Sequence, residues 1–319
     1  MTMADDRLCL LSVHAHPDDE ASKGAGTVAR YAAEGVHTVL VTCTGGEAGE
    51  ILNPAADTPE TRANLAAVRQ AELEESVRIL RYSRLHLLGF RDSGMPGSEH
   101  NALPDSFAAA PLEEAVGRLV AIVRAERPQV VVTYDEEHSG YPHPDHIRVH
   151  DISVAAFEAA GDPDRFPDAG PPFQPLKLYY SVWSRTRVET LHQAFLDRGE
   201  ESPYQRWMER WHPNDVERPI TTRIDVGDHL NERRAALLAH RTQIDPDSFW
   251  MRLPEDVVRE IFPWEEYRLA RSLVGDTVPP GGFEDDLFAG LRAATPVAAG
   301  GGAGVPADAA MSRQAKSHE

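Results

Sequence analysis

Hydrophobic positions along this chain alternate between two periods. Short aliphatic and β-branched runs near residues 7 to 13 ("RLCLLSV"), 37 to 43 ("HTVLVTC"), 85 to 88 ("LHLL"), 129 to 134 ("QVVVTY") and 176 to 181 ("LKLYYS") have the length and composition of buried strands. Between them lie segments of helical period. One spans 24 to 35, a second carries Leu65, Val68, Leu73, Val77 and Leu80 as its inner stripe, a third spans 112 to 126 and a fourth follows Pro144. Strands separated by helices predict an α/β fold, a Rossmann-like and mostly parallel sheet with flanking helices, over residues 1 to 182. From 183 to 292 the character changes: all five tryptophans (183, 207, 211, 250 and 264) fall here, with helical segments near 187 to 198, 228 to 242 and 254 to 262. This part reads as a smaller, mainly helical elaboration that completes the substrate pocket. Residues 293 to 319 are rich in Ala, Gly and Pro and nearly devoid of large apolar side chains, so disorder is expected there.

Composition narrows the function. The 319 residues carry a formal net charge of −19, which disfavours nucleic acid and anionic membrane partners. No apolar run approaches the roughly 20 residues of a membrane span and no signal-peptide order is present, so a cytoplasmic address is expected. Cys9 and Cys43 both lie in strand-like runs and read as inert core thiols. Any metal must therefore sit on His and carboxylate side chains.

In parallel α/β sheets, active sites lie beyond the carboxyl ends of the strands. After the first four strands come "HAHPDDE", "TGGEAGE", "GFRDSG" and "DEEHSGYPHPDH", four loops enriched in His, Asp, Glu and Gly that should converge on one rim. His-Pro-Asp occurs twice there, at His16 to Asp18 and His143 to Asp145, each followed by another metal-competent residue, Asp19 and His146. Two imidazoles and one carboxylate with an open position form a hydrolytic zinc site, although the same donors also suit non-haem iron oxygenases. A strongly α/β chain with a spare acid beside the ligands suits hydrolysis better: Asp18 can act as base and the remaining histidine as acid.

Several features have plainer readings. His14, in phase with the strand, reads as a buried supporting group, Glu47 and Glu50 can be solvated loop charges, and "WHPND" at 211 to 215 follows no strand and reads as structural. "TGGEAGE" lacks the spacing and ending of a phosphate loop.

With these residues in hand, the chain resembles the LmbE-like or PIG-L family of zinc-dependent deacetylases and amidases, and within it the actinobacterial mycothiol S-conjugate amidases. The stretches that carry the resemblance include "VHAHPDDEASKGAGTVARYAAEG", "LLGFRDSGMPG", "GYPHPDHIRVH" and "AHRTQIDP". The resemblance implies His16, Asp19 and His146 as metal ligands and Asp18 as general base. It implies His143 as acid or oxyanion stabiliser, Asp145 as the group that orients it, and Tyr141 as an oxyanion donor. Lys23, Glu47, Arg69 and Asp92 fall at substrate-holding positions, and Lys23 matches the amidase arm, because the sister deacetylases lack lysine there. The implied cofactor is Zn2+, with Fe2+ accepted by the same ligands. The implied reaction cleaves the amide between N-acetylcysteine and glucosaminyl-inositol in a small-molecule mycothiol S-conjugate, releasing a mercapturic acid in detoxification. Two other roles fit the same scaffold: a pathway-specific amidase acting on a mycothiol-tagged antibiotic intermediate such as a lincosamide, and an N-acetylglucosaminyl-inositol deacetylase. The loop "YDEEHSGYPHPDH" is one residue longer than the family's usual form, with His138 at its edge, a departure expected at the substrate mouth. A non-catalytic sugar binder is disfavoured by the retention of both Asp18 and His143. A homo-oligomer is compatible with this reading.

Overall fold

A computed structural model of the protein describes residues 7–136, 142–211 and 219–292. Its strands are β1 (Cys9–His14), β2 (His37–Thr44), β3 (Arg84–Phe90), β4 (Val130–Tyr134), β5 (Lys177–Val182), β6 (Thr222–Asp225) and β7 (Trp264–Ser272). The helices are α1 (Asp19–Ser22), α2 (Ala25–Ala33), α3 (Pro59–Ala63), α4 (Leu65–Leu80), α5 (Leu112–Glu126), α6 (Pro144–Ala159), α7 (Arg185–Asp197), α8 (Gln205–Met208), α9 (Leu230–Ala239) and α10 (Glu255–Ile261).

One seven-stranded sheet runs β3-β2-β1-β4-β5-β7-β6. The first five strands are parallel, whereas β7 pairs antiparallel with β5 and with β6. The chain moves outward from β1 through β2 to β3, then returns to place β4 on the other side of β1. That reversal opens a crevice beyond the carboxyl ends of β1 and β4, where α/β sheets bind ligands.

Alternation along the strands sends successive side chains to opposite faces. Leu11, Val13, Val39, Val41 and Val131 pack against α5 and α6, while Leu10, Val130, Val132 and Tyr179 pack against α2, α9 and the end of α4. The five expected strands and the helices of the core are present within a few residues. The three helices expected in the C-terminal part are present as α7, α9 and α10, and β6 and β7, which the sequence pattern did not suggest, extend the sheet. Their signal is weak: β7 (WEEYRLARS) buries two consecutive glutamates, which interrupts any apolar alternation. The stripe expected on α4 also differs. Leu73 and Leu80 of that stripe are buried, while Arg69, Glu72 and Ser76 are buried instead of Leu65, Val68 and Val77, because the first turns of this face meet the loops of the crevice. The expected disordered tail lies outside the described residues.

The chain after β7 is fastened by a buried ion pair. Lys177 Nζ donates to Glu284 Oε1 at 2.6 Å with neither side chain exposed, and Glu284 also accepts from Tyr179, Thr222 and Thr277. Burial alone would raise the Glu284 pKa, but these donors, Lys177 first, hold it below its ordinary value of 4.5. A carboxylate with a depressed folded pKa contributes stability above its unfolded pKa and loses it as pH falls through the folded one. Lys177→Met should therefore destabilise the fold by about 3–5 kcal/mol at neutral pH, since it leaves a buried carboxylate without its cation. Urea denaturation should also show wild-type stability declining below about pH 4.5 more steeply than that of Glu284→Gln.

Candidate metal centre and active site

The end of β1 delivers two histidines to the crevice with different surroundings. His14 Nδ1 lies 3.0 Å from Tyr134 Oη, and burial pulls its pKa down to about 4, which keeps it neutral behind the site. His16, two residues on and past the end of the strand, faces a ring of carboxylates. Pro17 then turns the chain into α1, whose first residue is Asp19.

From the other side of the switch point, α6 begins at Pro144 with His143 as its N-cap. The imidazole Nδ1 of His143 accepts from the Asp145 backbone N–H at 3.2 Å. An accepting Nδ1 puts the proton of the neutral ring on Nε2. Burial and the neighbouring His16 both lower the His143 pKa, so the neutral Nε2–H form is favoured.

His16, Asp19 and His146 come together closely. His16 Nδ1 is 3.2 Å from His146 Nε2 and 3.5 Å from Asp19 Oδ2, and His146 Nε2 is 3.4 Å from Asp19 Oδ2. Three donors bound tetrahedrally at 2.0–2.1 Å from one ion would stand about 3.3–3.4 Å apart. The triangle matches that requirement, and two imidazoles with one carboxylate are a donor set that zinc or ferrous iron accepts. The residues thus fit a divalent transition metal. His143 belongs to the same cluster, with its ring nitrogen within 4.8 Å of those of His16 and His146.

The other edge of the His16 ring is held from behind. Its Nε2 lies 3.2 Å from Asp145 Oδ2 and 3.6 Å from Asp92 Oδ1. A carboxylate on the far nitrogen fixes the tautomer and orientation of a metal-binding imidazole. Asp145 is in turn fixed by the N–H of Ser93 at 3.0 Å and by its hydroxyl. The expectation that Asp145 orients His143 takes a different form here: its backbone N–H reaches His143, while its carboxylate serves His16. Asp92 accepts from Gly94 N at 2.8 Å and Ala48 N at 3.2 Å, and its own N–H donates to Glu47 Oε1 at 3.1 Å. Although burial opposes ionisation of Asp92, its hydrogen bond and charge interaction with His16 outweigh this and hold it well below the ordinary carboxylate range.

Asp18 sits at the lip with φ +107°, a conformation costly for a residue with a Cβ, of order 1–3 kcal/mol. Several contacts impose it. The N–H of Asp18 donates to Glu20 Oε2 at 3.0 Å, while Arg69 Nη2 donates to Asp18 Oδ2 at 3.0 Å and to Pro17 O at 2.6 Å. Burial is the main cause of a raised Asp18 pKa, with Asp19 adding to it and Arg69 opposing. Arg69, 3 % exposed, also donates to Gly46 O at 2.6 Å. Gly46 has φ +68°, and a Cβ there would fall 2.4 Å from the guanidinium, so the glycine admits the arginine. Arg69 therefore touches the site through Asp18 and the two loops it ties together. Lys23 donates to Asp19 Oδ1 at 2.6 Å, leaving Oδ2 to the triangle. Burial works against the Asp19 charge, but Lys23 and then His146 outweigh it and keep the carboxylate ionised.

Some supporting residues have no sequence motif. His240 Nε2 lies 2.6 Å from Glu20 Oε1, both fully buried, and Ser76 donates to the same oxygen. Glu72 accepts from the N–H and hydroxyl of Thr242. The Tyr134 ring stacks on His146 at 4.9 Å between centroids. Only "AHRTQIDP", which contains His240 and Thr242, could have drawn attention to the C-terminal contribution. Tyr141, His138 and residues 212 to 215 lie outside the described residues. No helix among those described is long and apolar enough to cross a membrane.

Comparison with known proteins agrees with this geometry. Residues 11–157 match the PIG-L family model, described as GlcNAc-PI de-N-acetylase. A mycothiol S-conjugate amidase of Streptomyces coelicolor is 48% identical over 294 residues, covering 90% of this chain and 98% of that protein. A 1D-myo-inositol 2-acetamido-2-deoxy-alpha-D-glucopyranoside deacetylase of Streptomyces avermitilis is 41% identical over 293 residues, covering 88% and 97%. In fold, the chain resembles the N,N'-diacetylchitobiose deacetylase of Pyrococcus horikoshii, with a TM-score of 0.56, 20% identity and coverage of 85% and 86% of the two chains. Similarity sustained over nearly the full length of both sequence relatives, with the His and Asp cluster at the switch point, establishes that the chain belongs to the PIG-L family and is a hydrolase of C–N bonds.

Proposed function

We propose that the protein hydrolyses the amide between N-acetylcysteine and glucosaminyl-inositol in mycothiol S-conjugates, releasing a mercapturic acid and the amino-pseudodisaccharide. The observation that carries the substrate reading is the 48% identity with the S. coelicolor amidase over 98% of its length, against 41% for the S. avermitilis deacetylase. Lys23, placed on Asp19, supports the same choice.

His16, Asp19 and His146 would hold the metal, zinc by preference and ferrous iron by the same donors. When bound, such a cation polarises the amide carbonyl and makes water acidic enough to attack at neutral pH. Asp18 accepts the proton of the attacking water, and its raised pKa brings it closer to the range useful for a general base. His143, neutral with its proton on Nε2, suits donation to the oxyanion better than release of a full proton. The proton held by Asp18 then passes to the leaving amine as the C–N bond breaks. Tyr141 is assigned a second oxyanion donor on the family resemblance, and Asp92, with Glu47 beside it, is assigned to the sugar and inositol hydroxyls on the same resemblance.

A second reading is deacetylation of N-acetylglucosaminyl-inositol, favoured by the 41% identity with the S. avermitilis deacetylase. The two differ in the acyl group removed. A pathway-specific amidase shares the first chemistry and differs only in the S-substituent.

Three outcomes follow. Asp18→Asn should retain stoichiometric metal by elemental analysis and lose about 10²- to 10⁴-fold in kcat; full residual turnover would remove Asp18 from the mechanism. His16→Ala should lose the metal and activity together, and chelation of the wild type should abolish turnover that added Zn2+ or Fe2+ restores. A fluorescent mycothiol S-conjugate should be cleaved with far higher kcat/KM than N-acetylglucosaminyl-inositol, and cleavage of the precursor alone would establish the deacetylase instead.

A further inference from the structure

Beyond the ends of β5 and β6, α7, α9 and α10 enclose a cavity of about 60 Å³. That is space for about two water molecules, or for one carboxylate group. Trp183, Phe249 and Trp250 form part of its wall, and Arg187 and Arg233 line it together.

These two arginines differ from the other charged groups of the wall. Arg234 donates to Glu255 Oε1 at 2.9 Å, and Glu265 accepts from the N–H groups of Gly26 and Thr27 at 3.1 and 2.8 Å. Arg187 is only 7 % exposed and stacks on Trp183 at 3.9 Å from the ring centroid. Its Nε is buried with no hydrogen-bond acceptor among the described residues, and so is the Nε of Arg233. Neither guanidinium is within ion-pair distance of a carboxylate among the described residues. Burial, then the charge of Arg233, pulls the Arg187 pKa downward, only partly offset by Glu266 and Glu265. Two neighbouring cations, one of them nearly dry, are unfavourable without an anion to neutralise them.

We infer that this cavity is a binding site for a small organic monocarboxylate, with Arg187 and Arg233 as its donors and Trp183, Phe249 and Trp250 bordering its apolar part. The planar guanidinium fork matches a carboxylate in two-point hydrogen bonding. A multiply charged phosphate suits the site less well, because Glu255 and Glu265 share the wall and the chain carries a net charge of −19. The volume admits a free acid of one or two carbons and excludes the much larger acid that amide hydrolysis releases. The site is independent of the catalytic reading, so failure of either leaves the other standing.

Tryptophan fluorescence of the full-length, metal-loaded protein provides the readout, since Trp183, Trp250 and Trp264 line the cavity. Titration with formate and with acetate, against chloride and phosphate at matched ionic strength, should give a saturable change with the acids only. Half-buried Arg233 is replaced first: Arg233→Gln should weaken binding about tenfold or more, and Arg187→Lys, which keeps the charge but loses the fork, should do the same. No saturable change, an equal response to chloride or phosphate, or unchanged affinity in both variants would overturn the site; the last result would place the acid on the metal.

Discussion

His16 lies where the carboxylates of Asp19, Asp92 and Asp145 converge in a nearly dry crevice, and the rest of the site is arranged around keeping those charges. Burial opposes the ionisation of Asp19 and Asp92, and neighbouring cations and N–H donors reverse the outcome. Lys23 takes one oxygen of Asp19 and Gly94 supplies an N–H to Asp92, while Ser93 holds Asp145. With its Nε2 edge occupied in this way, His16 presents Nδ1 toward Asp19 and His146. The close triangle of His16, Asp19 and His146 is thus a consequence of how the acids behind it are satisfied.

The same logic extends into the C-terminal part. Glu20, next to Asp19, is paired with His240, and Glu72 on α4 with Thr242, so the chain around α9 helps fix the loop that carries Asp18. Glu265 on β7 accepts the first N–H groups of α2, and Glu284 is bonded to both β5 and β6. Residues more than two hundred positions away therefore set the conformation of "HAHPDDE". The left-handed backbone of Asp18 is sustainable because Glu20 and Arg69 constrain it from two sides.

The chain's own pattern determined the α/β class, the five parallel strands and the rim on which the motifs meet, because periodicity and strand-end loops are local properties. The repeated His-Pro-Asp likewise marked His16, Asp19, His143 and His146 as one chemical cluster. Tertiary structure alone decided which edge of each imidazole faces the site, that the Asp145 carboxylate lies on His16, and that Arg69 donates to Asp18. It also added β6 and β7 to the sheet beside the expected C-terminal helices, and brought Arg187 beside Arg233. These outcomes depend on hydrogen bonds between residues far apart in sequence, whose partners no local spacing encodes.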